Sequence, residues 1–270
     1  MRTGHDDAPG SAPATRLRRP WQVLVVVPAR NEEADLGACL TSVDRAVARV
    51  RRARPASAVR VVVVLDSCTD RTAEVLHRFP HVARLDVRLG LVGAARAAGI
   101  LAARTHDLDH PAERTWLACT DADGQVPADW LTGQLDHADR GACAVVGTVE
   151  PDHDLPAPVR ARWLAHHATH EGHTHVHGAN LGVRLDQYDA VGGFEPLAEH
   201  EDVRLVERLV AAGGLLVRTG DGRVTTSSRR VGRTPGGFAA YLGVLHDLHD
   251  LHDPRDPGVS VAEVDDRAVG

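Results

Sequence analysis

Thr115-Trp116-Leu117-Ala118-Cys119-Thr120-Asp121-Ala122-Asp123-Gly124 runs from a short apolar stretch into two carboxylates one residue apart. The first five residues read as a buried strand, and Asp121 and Asp123 fall where that strand ends. Asp-x-Asp also occurs in many surface turns, so its placement matters more than its spacing. In open α/β sheets, ligands bind beyond the carboxyl ends of the strands. Two carboxylates there form a pincer of hard oxygen ligands, suited to Mg²⁺ or Mn²⁺ shared with substrate phosphates.

Upstream, Gln22–Val27 and Val59–Leu65 are continuous β-branched runs, as in strands buried on both faces. Between them the spacing of Leu36, Leu40, Val43 and Val47 predicts a helix over Glu32–Val50. Thr69–Phe79 and Ala94–Arg104 read as further helices, with a short strand at Val82–Val87 between them. Pro127 opens another helix, and Ala142–Val149 is the next strand. This alternation predicts βαβ units and a mostly parallel central sheet flanked by helices.

The second half is less regular. Leu155–His170, Glu201–Ala212 and Gly236–Leu248 are predicted helical, and Gly178–Arg184 extended. Leu215–Arg218 and Arg223–Thr226 are expected to pair as strands. Residues 1–20, rich in Ala, Pro, Gly and charge, read as a disordered tail, and 251–270 as a flexible C-terminal tail. One domain is expected over 21–250.

The formal charge is −6, from 37 acids and 31 bases, which argues against a general nucleic-acid binder. Cys39, Cys68, Cys119 and Cys143 are scattered, so reduced thiols and a cytoplasmic location are expected. The apolar run Val23–Val27 is far short of the ~20 residues of a membrane helix. No apolar segment follows Arg2, so no secretory signal is expected.

After the first strand, Val27-Pro28-Ala29-Arg30-Asn31-Glu32-Glu33 carries neither a Gly-rich dinucleotide fingerprint nor a Walker phosphate loop. The second strand ends in Leu65-Asp66-Ser67-Cys68-Thr69-Asp70. Asp66 suits a hydrogen bond from a nucleotide base, or a cap on the following helix. Glu201-Asp202 is likewise either a charged site or a well-placed helix start.

These stretches, with Gly178-Ala179-Asn180-Leu181-Gly182-Val183-Arg184, Val191-Gly192-Gly193-Phe194 and His200-Glu201-Asp202-Val203-Arg204-Leu205, resemble glycosyltransferase family 2 in order and spacing over residues 22–245. The resemblance implies a GT-A fold and inverting transfer from a nucleotide-diphosphate sugar to an acceptor hydroxyl, assisted by Mn²⁺ or Mg²⁺. It implies that Pro28, Ala29, Arg30 and Glu32 line the nucleotide site and that Asp66 recognises the base. Arg96 would lie near the nucleotide or its phosphates, Asp121 by ribose and metal, and Asp123 on the metal. Gly178, Ala179, Asn180 and His177 would border the donor sugar, and Asp202, or Glu201 beside it, would act as catalytic base.

Membrane helices and the Gln-x-x-Arg-Trp motif of processive members are missing, and Ser227-Ser228-Arg229-Arg230-Val231-Gly232-Arg233 stands in a comparable place. A soluble, non-processive enzyme follows, with Arg229 and Arg230 facing an anionic acceptor or the donor diphosphate, or forming a solvated loop. Two other readings compete: a non-catalytic nucleotide-sugar-binding protein on the same fold, and a nucleotidyltransferase. His166, His167, His170, His173, His175 and His177 read as a polar loop, a substrate contact or a metal site. Their spacing fits no common closed zinc motif.

Overall fold

The computed structural model describes residues 19–105, 110–167, 170–229, 238 and 241–243. Strand β1 (Gln22–Ala29) is buried at every position. Helix α1 (Leu36–Ala53) follows, then β2 (Ala58–Asp66), the short α2 (Thr72–Val75) and β3 (Ala83–Val87). Next come α3 (Val92–Arg104), β4 (Thr115–Cys119), β5 (Gly124–Gln125), α4 (Trp130–Asp139) and β6 (Ala144–Pro151). The chain continues through α5 (Ala157–His166), β7 (Leu181–Arg184), α6 (Leu185–Ala190), α7 (Glu201–Ala211) and β8 (Leu216–Thr226).

The eight strands form one sheet in the order β3-β2-β1-β4-β7-β6-β8-β5. From β3 to β4 every pairing is parallel. β7 then pairs antiparallel with both β4 and β6, while β6 and β8 run parallel. Parallel neighbours need crossover helices, which cover both faces and make the strands apolar throughout. Along β1 the side chains alternate between two cores: Val23, Val25 and Val27 face α1 and α4, and Leu24 and Val26 face α3. The α1 stripe of Leu36, Leu40, Val43, Val47 and Val50 is buried. Each such side chain contributes about 1.5–3 kcal/mol.

Several boundaries differ from the sequence reading. Helix α1 begins at Leu36, four residues late, because Glu32 and Glu33 form the turn that leaves β1. The helix expected over Thr69–Phe79 shrinks to Thr72–Val75 and a 3-10 turn, Leu76–Arg78. Leu216–Thr226 is one strand, not a strand pair. It lies parallel to β6 and shifts register opposite Gly147 and Val149, so the polar stretch at Gly220–Arg223 passes as a bulge. Residues 178–180, expected to be extended, form a 3-10 turn. Of the helix predicted over Gly236–Leu248, residues 238 and 241–243 are described and are helical. Residues 1–18 and 251–270 lie outside the described residues.

Candidate active site

A cleft of about 250 Å³ opens at the carboxyl ends of β1, β2 and β4, with Ala29, Asp66, Asp121 and Asp123 on its wall. Across from them stand Gly178, Ala179, Glu201 and Asp202. Among the described residues, three non-glycine positions have positive φ: Asn31 at 57°, Ser67 at 57° and His200 at 61°. Each sits where the chain turns into the cleft, after β1, after β2 and before α7. Such backbone costs of order 1–3 kcal/mol and persists where the surroundings over-determine it, often at functional sites. His200 lines the cleft but was not singled out from the sequence; a left-handed residue carries no clear compositional signal.

At the end of β2, Asp66 is buried and accepts backbone N–H bonds from Leu89 and Gly90, both at 2.8 Å, and the Ser67 hydroxyl at 3.0 Å. It therefore ties the loop after β3 to the end of β2. It does not cap α2, whose first amide, Thr72 N, donates to Asp70 at 2.9 Å. Pro28, Ala29, Arg30 and Glu32 all line the cleft. The Glu32 backbone N–H donates to the Thr72 hydroxyl at 2.7 Å, which locks the turn after β1 against α2.

Arg96, from α3, occupies the floor. It is 3% exposed, donates to Asp121 Oδ1 at 2.6 Å and pairs with Glu201 Oε1. Its guanidinium lies 5.8 Å from the centre of the Phe194 ring. Burial works against its charge, but the carboxylates of Asp121 and Glu201 outweigh it and raise the guanidinium above its ordinary range. Glycines make the room: a Cβ on Gly178 would stand 2.5 Å from Arg96 Nη1, and one on Gly93 would stand 2.7 Å from Glu201 Cγ. Burial lifts the Glu201 carboxyl above the usual range; Arg96 pulls the other way and Asp202 adds to the rise.

The rim carries a second arginine. Arg229 Nη2 lies 2.8 Å from Asp123 Oδ2, and its Nη1 lies 3.0 Å from Glu32 Oε2. Burial pushes the Asp123 carboxyl up to about 7, against Arg229, with Asp121 and Glu32 adding to the rise. The two carboxylates of Asp-x-Asp are thus split, one held by Arg96 and one by Arg229. Arg230 lies outside the described residues.

Asp202 sits at the start of α7, with Oδ2 accepting the Gly178 backbone N–H and Oδ1 accepting Val203 N–H at 2.9 Å. The structure corrects the expectation for Asn180, which does not line this cleft. The 3-10 turn carries its side chain away, where it accepts from Trp130 Nε1 at 2.9 Å and donates to the carbonyls of Thr148 and Gly222. His177 does line the cleft and ends a ladder of stacked rings. Trp163 stacks on His167 at 4.7 Å, His167 on His175 at 4.9 Å and His175 on His177 at 6.0 Å. Burial pushes His177 down to about 3, with neighbouring imidazoles adding to the shift.

Among the described residues, no three His, Cys, Asp or Glu side chains are arranged to hold a metal ion by themselves. The donor chemistry of the cleft still fits a divalent cation. Mg²⁺ is commonly bound through one or two carboxylates, with water and substrate phosphate completing its shell. Asp121 and Asp123 supply such oxygens on one wall of the cleft.

A family profile described as "Glycosyl transferase family 2" matches residues 24–177, more than half of the chain. No match is found among curated proteins. Solved structures share the fold at low identity. The Staphylococcus aureus TarS 1–349 structure gives a TM-score of 0.54 at 13% identity, covering 87% of this chain and 68% of that one. Its complex with UDP gives 0.55 at 12%, covering 77% and 61%. The mannosyltransferase PcManGT from Pyrobaculum calidifontis, in complex with GDP-Man and Mn²⁺, gives 0.54 at 16%, covering 88% and 70%. With the ordered motifs and the parallel half-sheet leading to a carboxylate-lined cleft, the match shows that this chain is a GT-A glycosyltransferase and belongs to glycosyltransferase family 2.

Proposed function

We propose that the protein transfers a sugar, with inversion, from a nucleotide-diphosphate sugar to an acceptor hydroxyl, with Asp202 as base. The carrying observation is the placement of Asp202 across one cleft from Asp121 and Asp123, with its carboxylate aimed by the Gly178 N–H. The base and ribose would lie between the turn after β1 and the loop held by Asp66. The diphosphate would lie over Asp121 and Asp123, within reach of Arg229, with Arg230 following it in sequence. Ala179 and His177 would border the sugar. UDP and GDP-mannose complexes of two similar folds support a nucleotide-sugar donor.

The acceptor hydroxyl gives its proton to the Asp202 carboxylate as its oxygen bonds to the anomeric carbon. The bond from that carbon to the diphosphate oxygen breaks, and the nucleoside diphosphate leaves. The transition state is oxocarbenium-like, as in glycoside hydrolysis. Mn²⁺ or Mg²⁺, when bound, would neutralise charge on the departing diphosphate. Glu201, tied to Arg96, would fix the cleft floor instead of moving a proton. Residues 21–250 would form the catalytic unit. A cytoplasmic location is in keeping with four free cysteines and with no described helix long and apolar enough to cross a membrane.

The test compares Asp202→Asn with Glu201→Gln on UDP- and GDP-sugars. Asp202→Asn is expected to keep donor affinity by calorimetry and to lower turnover by roughly 10²–10⁴. Full turnover in folded Asp202→Asn, with loss in Glu201→Gln, moves the base to Glu201.

A further inference from the structure

We propose that Arg229 is an exchangeable counter-ion: it holds Asp123 and Glu32 in the free protein, yields Asp123 when a divalent cation binds, and turns its charge toward the donor diphosphate. The inference rests on the metal-assisted reading of the same cleft.

The geometry sets the competition. Arg229 Nη2 lies 2.8 Å from Asp123 Oδ2, so a cation bound to that carboxylate would face a second positive charge within a few ångströms. Like charges that close repel strongly in a partly buried site. One of them gives way, and the surroundings show which can. Arg96 cannot move, since it is 3% exposed, paired on two sides and packed against Gly178. Arg229 is 28% exposed and lies beyond the last ladder residue of β8, Thr226, which pairs with Gly124.

The backbone there is anchored independently of the side chain, whose ion-pair partners are Asp123 and Glu32. Ser228 is anchored to Asp152, by its amide at 3.2 Å and its hydroxyl at 2.6 Å. The long side chain of Arg229 can therefore change partners about a fixed pivot. Its Nε is buried and has no hydrogen-bond acceptor among the described residues, so Asp123 and Glu32 leave one donor unused. A diphosphate oxygen would supply that acceptor, and Arg suits it by presenting several donors in a fixed fork. The exchange keeps Asp123 compensated in both states.

The experiment titrates Mn²⁺ alone, by calorimetry, into the wild type, Arg229→Met, Arg229→Lys and Asp123→Ala. Removing the competitor should tighten Mn²⁺ binding by up to about fivefold in Arg229→Met, the scale of one partly exposed ion pair. Arg229→Lys, which cannot bridge both acids as a fork, should show a smaller tightening, and Asp123→Ala should lose binding. In the wild type, Mg²⁺ should shift the side-chain Nε–H NMR signal of Arg229 while amide exchange through residues 227–229 stays unchanged. Unchanged or weaker Mn²⁺ affinity in folded Arg229→Met, with loss in Asp123→Ala, overturns the exchange and leaves the metal reading standing. No Mn²⁺ binding by any of the four proteins overturns both. If Arg229→Met does not fold, Arg229→Lys and the wild-type Arg229 side-chain signal decide: no tightening, or an Nε–H signal that cation binding leaves unmoved, also overturns the proposal.

Discussion

Arg96 reaches from α3 across the cleft to Glu201 on α7, while Arg229 reaches back from the end of β8 to Glu32 and Asp123. Both join the parallel half of the sheet to the half that follows it, and both neutralise acids of the same site. They differ in what surrounds them. Arg96 lies among glycines, an aromatic ring and two carboxylates, with almost no water. Arg229 lies at the rim on a segment pinned at one residue. The contrast teaches that one sequence can place two similar ion pairs in one cleft and make one permanent and the other replaceable.

The largest effect tests the permanent pair. Arg96→Met leaves Asp121 and Glu201 facing each other uncompensated, and removing one partner of a buried pair costs about 3–5 kcal/mol. Arg229→Met, at a partly exposed pair, should cost about 1 kcal/mol or less. Denaturant unfolding of the two variants measures the difference directly. Equal losses would erase the distinction between the pairs.

An intermediate effect is expected at Asp66, which belongs with the permanent elements because backbone amides hold it. Asp66→Ala should weaken nucleotide binding by about 1–3 kcal/mol, the cost of stranding buried partners. Calorimetry with UDP and GDP reads this. Lost stability with unchanged nucleotide affinity would confine Asp66 to holding its loop.

The smallest effect is a pH dependence at the cleft end of the ring ladder. His177 is held neutral in the fold, with its pKa lowered to about 3 from an ordinary 6.5. The unfolded chain therefore takes up a proton that the fold refuses. Stability from this residue is full above pH 6.5 and falls as pH drops from there toward 3. The slope is at most about 1.4 kcal/mol per pH unit for one proton. Asp123, raised to about 7, acts in the opposite direction, so the wild-type curve alone is not diagnostic. The melting-temperature difference between wild type and His177→Gln should shift in favour of the variant from pH 7.5 to pH 5. A constant difference would mean that His177 titrates alike in the folded and unfolded chain, and a shift in favour of the wild type would mean that the fold holds it protonated.

The parallel half was largely legible. The two strands β1 and β2 are buried on both faces, so Val23–Val27 and Val61–Leu65 appear as unbroken apolar, mostly β-branched runs too short for a helix. Asp66 follows the second of these runs directly, and Asp121 and Asp123 follow the strand Thr115–Cys119, so their place at strand ends could be read. The other half was harder, since β8 carries Gly220, Asp221 and Gly222 inside a strand, and a bulge reads as a turn until its partner is known. Asn180 shows a different difficulty. Motif order placed it beside the cleft, but a 3-10 turn decides which way a side chain points, and sequence spacing does not record that rotation. Arg96 meets Asp121 and Glu201, 25 and 105 residues away, and Arg229 meets Glu32, 197 residues away, all beyond any local pattern.

The space cleared by Gly93 and Gly178 has a consequence for how this enzyme can vary. Neither position tolerates a methyl group while Arg96 and Glu201 are present, because each new Cβ would overlap one side chain of that pair. The two glycines are bound to different things. A Cβ at 178 would meet the Arg96 guanidinium, so that glycine is required for as long as the arginine is kept. A Cβ at 93 would stand 2.7 Å from the Glu195 backbone carbonyl as well as from Glu201, so that glycine stays required even if both members of the ion pair are lost.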